Sequence, residues 1–320
     1  MLISQDVPKI TFGIIVLNGE PFIRYCLKSL YPYAHEIIVV EGASPNAVSI
    51  ADSNGHSSDS TLDSIRKFIE EEDPEDKVVL ITAEDHGYEN GFWPGEKDEQ
   101  SQSYAKRATG DWLWQVDCDE FYRCEDMEAV IEMLRKDPTI TAVTFETKTF
   151  WGSPDVCVDS IYLQSGAKNF HRLFRYGEGY QYITHRPPTV IDAEGRNLRD
   201  IHWITSDILA SQGVYMYHYA LLLPKQVREK CAYYNANMRP DSVKWAENCW
   251  FRLGDRFHVH NVFRYSSWLT RYDYMKPQYI TEMMDDIRSG TLNVELRDME
   301  DVDRLLLSKY FILRRTMLSL

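Results

Sequence analysis

No apolar run in the 320 residues approaches the roughly 18 positions needed to cross a bilayer; Ile14 to Leu17 and Leu305 to Leu307 are typical and short, which excludes a spanning helix. No CxxC pair occurs among the cysteines at 26, 118, 124, 157, 231 and 249, so a zinc knuckle and a redox dithiol lack their spacing. Residues 1–8 carry Asp6 and no basic segment leading into an apolar stretch, so no secretory signal is read. The expectation is a cytoplasmic chain with reduced cysteines. Positive charge is scarce: 35 Lys and Arg face 49 Asp and Glu, a net charge of −14 that argues against nucleic acid as a partner. Internal repeats, low-complexity tracts and Gly/Ser or Pro linkers are missing too, which excludes a solenoid and a string of tethered modules.

What is present is the composition of a folded protein, 44% hydrophobic and 26% charged, with 13% aromatics that suit both a core and a cleft stacking on rings. The β-branched run Ile10 to Leu17 breaks at Asn18-Gly19-Glu20-Pro21, and apolar positions 22, 23, 26, 27 and 30 then follow at helical spacing. Glu36 to Val40, the amphipathic stretch Leu62 to Ile69 and Val78 to Thr82 repeat the order strand, helix, strand. The acids of Glu70 to Asp76 read as a solvated helix end and loop. A helix over Gln100 to Ala108, closing at Gly110, precedes a strand over Trp112 to Val116. Such alternation predicts right-handed βαβ units and a mostly parallel sheet, with ligands at the carboxyl ends of its strands. After about residue 150 short β-rich runs take over, with a strand at Val214 to Ala220 and a helix at Pro224 to Asn237. The fold class expected is α/β, a Rossmann-like sheet flanked by helices with an elaborated C-terminal α+β half.

Asp117-Cys118-Asp119-Glu120 directly follows the strand ending at Val116. Alternation along a strand would put Asp117 and Asp119 on one side. Two hard oxygen donors there suit Mn²⁺ or Mg²⁺ shared with nucleotide phosphates, whereas an isolated acidic turn would simply be solvated.

With FGIIVLNGEPFI, EIIVVEGAS, SSDSTLDSI and KRATGDWLWQVDCDEFY in place, residues 10 to 122 resemble a family 2 type glycosyltransferase of the GT-A fold. Weaker landmarks run to about residue 235: Arg172-Leu173-Phe174-Arg175, His185-Arg186-Pro187-Pro188 and Tyr217-His218-Tyr219. The resemblance implies a GT-A domain over 1–240, its nucleotide-binding half being 1–122 and its acceptor-side half 123–240, with 241–320 as a mostly helical extension. It implies that Asp117 contacts the donor ribose or the metal, that Asp119 ligates the metal, and that Leu17, Asn18 and Glu20 border the nucleobase. Glu41 stands where relatives carry an aspartate that bonds the base or ribose; a plain loop carboxylate is the alternative. Asp59 fits an N-cap for the helix near Leu62. Lys106 and Arg107 reach the diphosphate or lie on a solvated face. His218 is a late metal ligand or a core histidine, and His258 with His260 has the spacing of a metal pair without a third ligand.

Inversion at the anomeric carbon needs a general base. In relatives the Arg-Leu-Phe-Arg strand leads to a His-Glu pair; here it reads His185-Arg186, both placed beside the acceptor, and an arginine cannot act as the base. Glu146, Glu178 and Asp192 are the candidates, unless the mechanism is retaining. Trp151 is either an acceptor-stacking ring or core. The tail Arg304 to Leu320, basic with apolar members, packs as a helix or lies on an anionic membrane holding a lipid-linked acceptor. The implied activity is metal-dependent transfer from a nucleotide sugar, with UDP as nucleotide, to a hydroxyl of a glycan or glycolipid. A nucleotidyltransferase would carry a Gly-rich, basic loop after the first strand, which Asn18-Gly19-Glu20 is not. A non-catalytic glycan-binding module is favoured by Arg186 and disfavoured by the intact Asp117 and Asp119.

Overall fold

A computed structural model describes residues 7–95, 97–237, 239–253 and 266–309. The chain divides into two compact units that interleave along the sequence: Met1–Glu146, Phe170–Met216 and Pro277–Met283 form the first, and Thr147–Asn169, Tyr217–Lys276 and Met284–Leu320 the second.

In the first unit β1 (Ile10–Val16), β2 (Glu36–Glu41), β3 (Val78–Ile81) and β4 (Trp112–Asp117) pair in parallel in the order β4-β1-β2-β3. Helices α1 (Phe22–Leu30), α2 (Thr61–Glu71) and α3 (Lys97–Arg107) connect them. Runs such as Ile37-Ile38-Val39-Val40 are buried at every position, as strands covered on both faces must be. The fold is therefore mixed α/β with a mostly parallel sheet flanked by helices. Beyond β5 (Glu120–Phe121) and α4 (Cys124–Lys136) comes β6 (Ala142–Trp151), whose first half belongs to this unit.

The second unit holds the other half of β6 and β7 (Val156–Ser160), which pair antiparallel. After β8 (Asn169–Arg175), antiparallel to β4 in the first unit, comes the hairpin of β9 (Gln181–His185) and β10 (Pro188–Ile191). Next come β11 (Trp203–Ile204), parallel to the start of β6, and α5 (Ser206–Ser211). The chain then passes through β12 (Met216–Leu221), α6 (Pro224–Asn237), α7 (Ser242–Trp245), β13 (Ser267–Arg271), α8 (Gln278–Ser289) and α9 (Glu300–Leu307). In the second unit Trp151, Trp245, Trp250 and Trp268 anchor one hydrophobic core.

The helix expected from Gln100 begins three residues earlier, at Lys97, because the first turn is polar and carries no apolar period. The strand expected at Val214 begins at Met216, and β4 extends through Asp117, which pairs with Ile15. None of the six cysteines is in a disulfide. His258, His260 and the tail beyond residue 309 lie outside the described residues. Among the described residues no helix is long and apolar enough to cross a membrane.

A close approach fixes α3 against β1. A Cβ built on Gly13 would sit 2.5 Å from the fully buried Tyr104 ring, so only glycine lets the helix lie this near the strand. Gly13→Ala is expected to lower the stability of the whole chain by about 1–3 kcal/mol through overpacking, read as a lower urea midpoint with an unchanged slope; an unchanged midpoint contradicts this packing.

Candidate active site

The parallel strands end together, and the loops after them gather in the first unit. Asp117 closes β4 with its side chain 30% exposed, Cys118 and Asp119 make a turn, and Glu120 starts β5 fully buried. Strand alternation therefore stops at Asp117 and does not govern Asp119, which the turn instead leaves 8% exposed.

Beneath these acids lies Arg172 of β8. Its guanidinium donates to both carboxylate oxygens of Glu120, through Nε at 3.0 Å and through a close Nη2 contact, and to Asp117 Oδ2 at 3.2 Å. Glu120 Oε2 also accepts from the Asp117 amide at 3.1 Å, which ties the end of β4 to the same pair. Burial alone would raise the Asp117 carboxyl, but Arg172, joined by Lys97 and Arg186, holds it well below the usual range. Asp117 is thus ionised. Burial, with Asp117 and Asp119 close by, pushes the Glu120 carboxyl up, and the Arg172 guanidinium pulls it back down. The guanidinium itself is held charged by Glu120 and Asp117 despite burial.

Lys97 opens α3, and His185 and Arg186 lie where β9 turns into β10. His185 is 3% exposed; its amide donates to Asp98 at 2.6 Å and its Nδ1 is 2.8 Å from Ser101 Oγ. Burial first, then the charges of Lys97, Arg172 and Arg186, bring its imidazole down to about 3, against the opposing Asp117. The structure therefore groups Asp117, Asp119, His185 and Arg186, and adds Glu120, Arg172 and Lys97. Lys106 instead lies exposed in the last turn of α3, so the cation near Asp117 comes from the other end of that helix.

Around the loop after β1, Asn18 adopts φ +54° and is held from three sides: its amide donates to Ser57 Oγ at 2.9 Å, its Nδ2 to Ile50 O at 2.7 Å, and its Oδ1 accepts from Ser58 N at 2.8 Å. Leu17 is half-buried beside it, and Glu20 accepts a close bond from the Ser64 hydroxyl. Glu41 is fully buried, both carboxylate oxygens engaged by Ser57 and His56. Asp59 accepts from the Thr61 amide at 3.0 Å, while Ser60 occupies the N-cap position of α2.

Glu146 is half-buried on β6 and Glu178 exposed in the turn before β9. Asp192 accepts from the Arg196 amide and Nε, both at 2.8 Å, and from the Glu194 amide at 3.1 Å, so it holds its own turn; Arg196 keeps its carboxyl below the ordinary range against the effect of burial. His218 is buried in β12 of the second unit. Trp151 is fully buried in the second unit's core, edge-on to Trp245 at 5.9 Å, which is the core role and not that of a stacking platform.

No protein-family model matches the chain, and no curated protein does. Among solved structures it is similar to S. aureus TarS 1-349 in complex with UDP-GlcNAc, at 17% identity and a TM-score of 0.34, over 44% of this chain and 35% of that one. A mannosyltransferase from Pyrobaculum calidifontis in complex with GDP-Man and Mn²⁺ is 22% identical, TM-score 0.32, over 44% and 36%. Glucosyl-3-phosphoglycerate synthase from Mycobacterium tuberculosis, in complex with Mn²⁺, UDP and glucosyl-3-phosphoglycerate, is 20% identical, TM-score 0.31, over 45% and 44%. The chain thus spans less than half the length of each.

Arg172→Met leaves Glu120 buried without its counter-charge and is expected to cost about 3–5 kcal/mol of stability in urea melts; a loss under about 1 kcal/mol would mean the network carries little. Since the folded pKa of His185 lies below the unfolded value near 6.5, the unfolded chain binds a proton the folded one refuses. That stability is present above about pH 6.5 and is lost as pH falls toward 3. His185→Gln should therefore flatten part of the decline in urea midpoint between pH 7 and 4.5, and parallel curves for the two proteins would count against a neutral buried imidazole.

Proposed function

We propose that the chain is a metal-dependent glycosyltransferase of the GT-A type, moving a sugar from a nucleoside diphosphate sugar, with UDP as the nucleotide, to a hydroxyl of a glycan or glycolipid with inversion. Residues 1–240 are proposed as the catalytic region and 241–320 as its extension. One observation carries the reading: Asp117, kept ionised and partly open at the carboxyl end of a parallel strand, has Asp119 two residues on and Lys97, His185 and Arg186 around it.

An oxygen-only donor pair fits a hard divalent cation that completes its shell from phosphate and water. Among the described residues no group of three ligating side chains forms. Asp117 and Asp119 would hold Mn²⁺ or Mg²⁺, which when bound offsets the charge developing on the departing diphosphate. Arg172 lowers the cost of gathering three acids at one strand end and fixes the Asp117 carboxylate. Lys97 and Arg186 add positive charge beside the anionic donor. Of the base candidates, the lowered pKa and full hydrogen-bonding of Asp192 make it a poor proton acceptor, which leaves Glu146 and Glu178 as the acids to test.

Calorimetry of UDP, GDP, CDP and ADP with and without Mn²⁺ tests the reading. One nucleotide should bind in a metal-dependent manner, and Asp119→Ala should abolish that binding without altering the melting curve. Absence of binding for all four, with or without metal, sinks the donor assignment; metal-dependent donor binding without turnover on any glycan favours the binding-module alternative.

A further inference from the structure

Glu41 closes β2, and its carboxylate is spent inside the protein. Oε1 accepts from the Ser57 amide and hydroxyl, each at 2.7 Å, and Oε2 lies 2.8 Å from His56 Nδ1. The other nitrogen of His56, Nε2, is 3.1 Å from Glu84 Oε1, which comes from the turn after β3. Asp52, on the same loop as His56, is the remaining acid near the ring, and its Oδ1 accepts from the His56 amide at 2.9 Å. Both ring nitrogens thus face carboxylate oxygens, which only accept. A neutral imidazole can donate from Nδ1 to Glu41 and carries no charge for Glu84; the imidazolium donates to Glu41 and pairs by charge with Glu84.

This imidazole sits at a junction. Ser57 and Ser58, next to it in sequence, are the residues that hold the Asn18 amide and side chain, and Gly19 is held in turn by Thr61 Oγ1 at 2.7 Å. Asn18 adopts a left-handed backbone, φ +54°, and these bonds hold it there. We propose that Glu41, His56 and Glu84 form a clamp that positions the loop 17–20 for the nucleotide, with doubly protonated His56 as its positioning residue. The identity of the ligand rests on the transferase reading; the clamp itself does not.

Glu41 is fully buried and Glu84 is 42% exposed. On deprotonation His56 keeps its proton toward the buried acid and releases Glu84, so the loop 51–58 loosens on that side, and Asn18 with it. The raised pKa of His56 agrees: burial opposes the charge, and the Glu41 hydrogen bond with the Glu41, Glu84 and Asp52 charges more than restores it. The sign is that loop order is complete below the His56 titration and declines above it.

Amide hydrogen exchange on the full chain from pH 6 to 9, corrected for intrinsic rates, tests the clamp. Protection of Asn18, Ser57 and Ser58 is expected to fall about tenfold across the titration, equivalent to about 1.4 kcal/mol, while the β1–β2 ladder stays constant. His56→Gln should show the reduced protection at every pH. Unchanged protection across pH in the native chain, or native protection in His56→Gln, overturns the clamp. UDP calorimetry with Mn²⁺ at the same pH values forms the second arm. Weaker UDP binding at high pH that disappears in His56→Gln supports the positioning role, and pH-independent UDP binding overturns it. No UDP binding at any pH, with the amides still responding, removes the nucleotide and the transferase reading but leaves the clamp standing.

Discussion

One buried cation makes the rest of the first unit's acidic corner affordable. Without Arg172, the end of β4 would place Asp117, Asp119 and Glu120 within a few residues of each other in a region largely shielded from water, where like charges repel strongly. With it, Glu120 becomes an internal counter-ion, and Asp117 stays ionised while still partly open to solvent. The arginine is positioned by the antiparallel pairing of β8 with β4, Trp114 opposite Leu173 and Leu113 opposite Phe174, so the electrostatics of the site depend on a strand that enters the sheet late in the sequence. The surrounding aromatic packing keeps that register: Trp114 stacks on Phe145 at 5.3 Å and meets Tyr122 edge-on at 5.0 Å.

The parallel strands and their helices were legible in the sequence because unbroken β-branched runs and 3.6-residue periods leave few alternatives. Their edges were less so. Lys97, Asp98 and Glu99 have no apolar member, so nothing in the local pattern announces that the helix has started, and the lysine that matters electrostatically was passed over for Lys106. Asp117 and Asp119 were legible from their place after a strand, whereas their mutual orientation was not, because the turn at Cys118 ends the alternation on which that inference stood.

Partners distant in sequence were the main loss. Arg172 lies 55 residues from Asp117, and no spacing rule joins them. A signal existed: in Arg172-Leu173-Phe174 the arginine shares its strand face with a buried phenylalanine, and an arginine placed so needs an acid inside the protein. Glu41 shows the converse, a position singled out in the sequence whose carboxylate is taken by Ser57 and His56, residues that read in sequence as an unremarked polar loop.

The interleaving of the two units bears on how the chain is made. Residues 277–283 belong to the first unit, where Lys28 of α1 pairs with Glu282 and lies 5.3 Å from the centre of the Tyr279 ring. A ribosome that has delivered every β-strand of the parallel sheet has therefore not yet delivered all of the unit those strands belong to. Closure of α1 against this segment spans about 250 residues of chain, a long loop whose entropy is settled only once residues 277–283 have been made. Nascent chains halted before Pro277 carry α1 without the partners that Tyr279 and Glu282 supply.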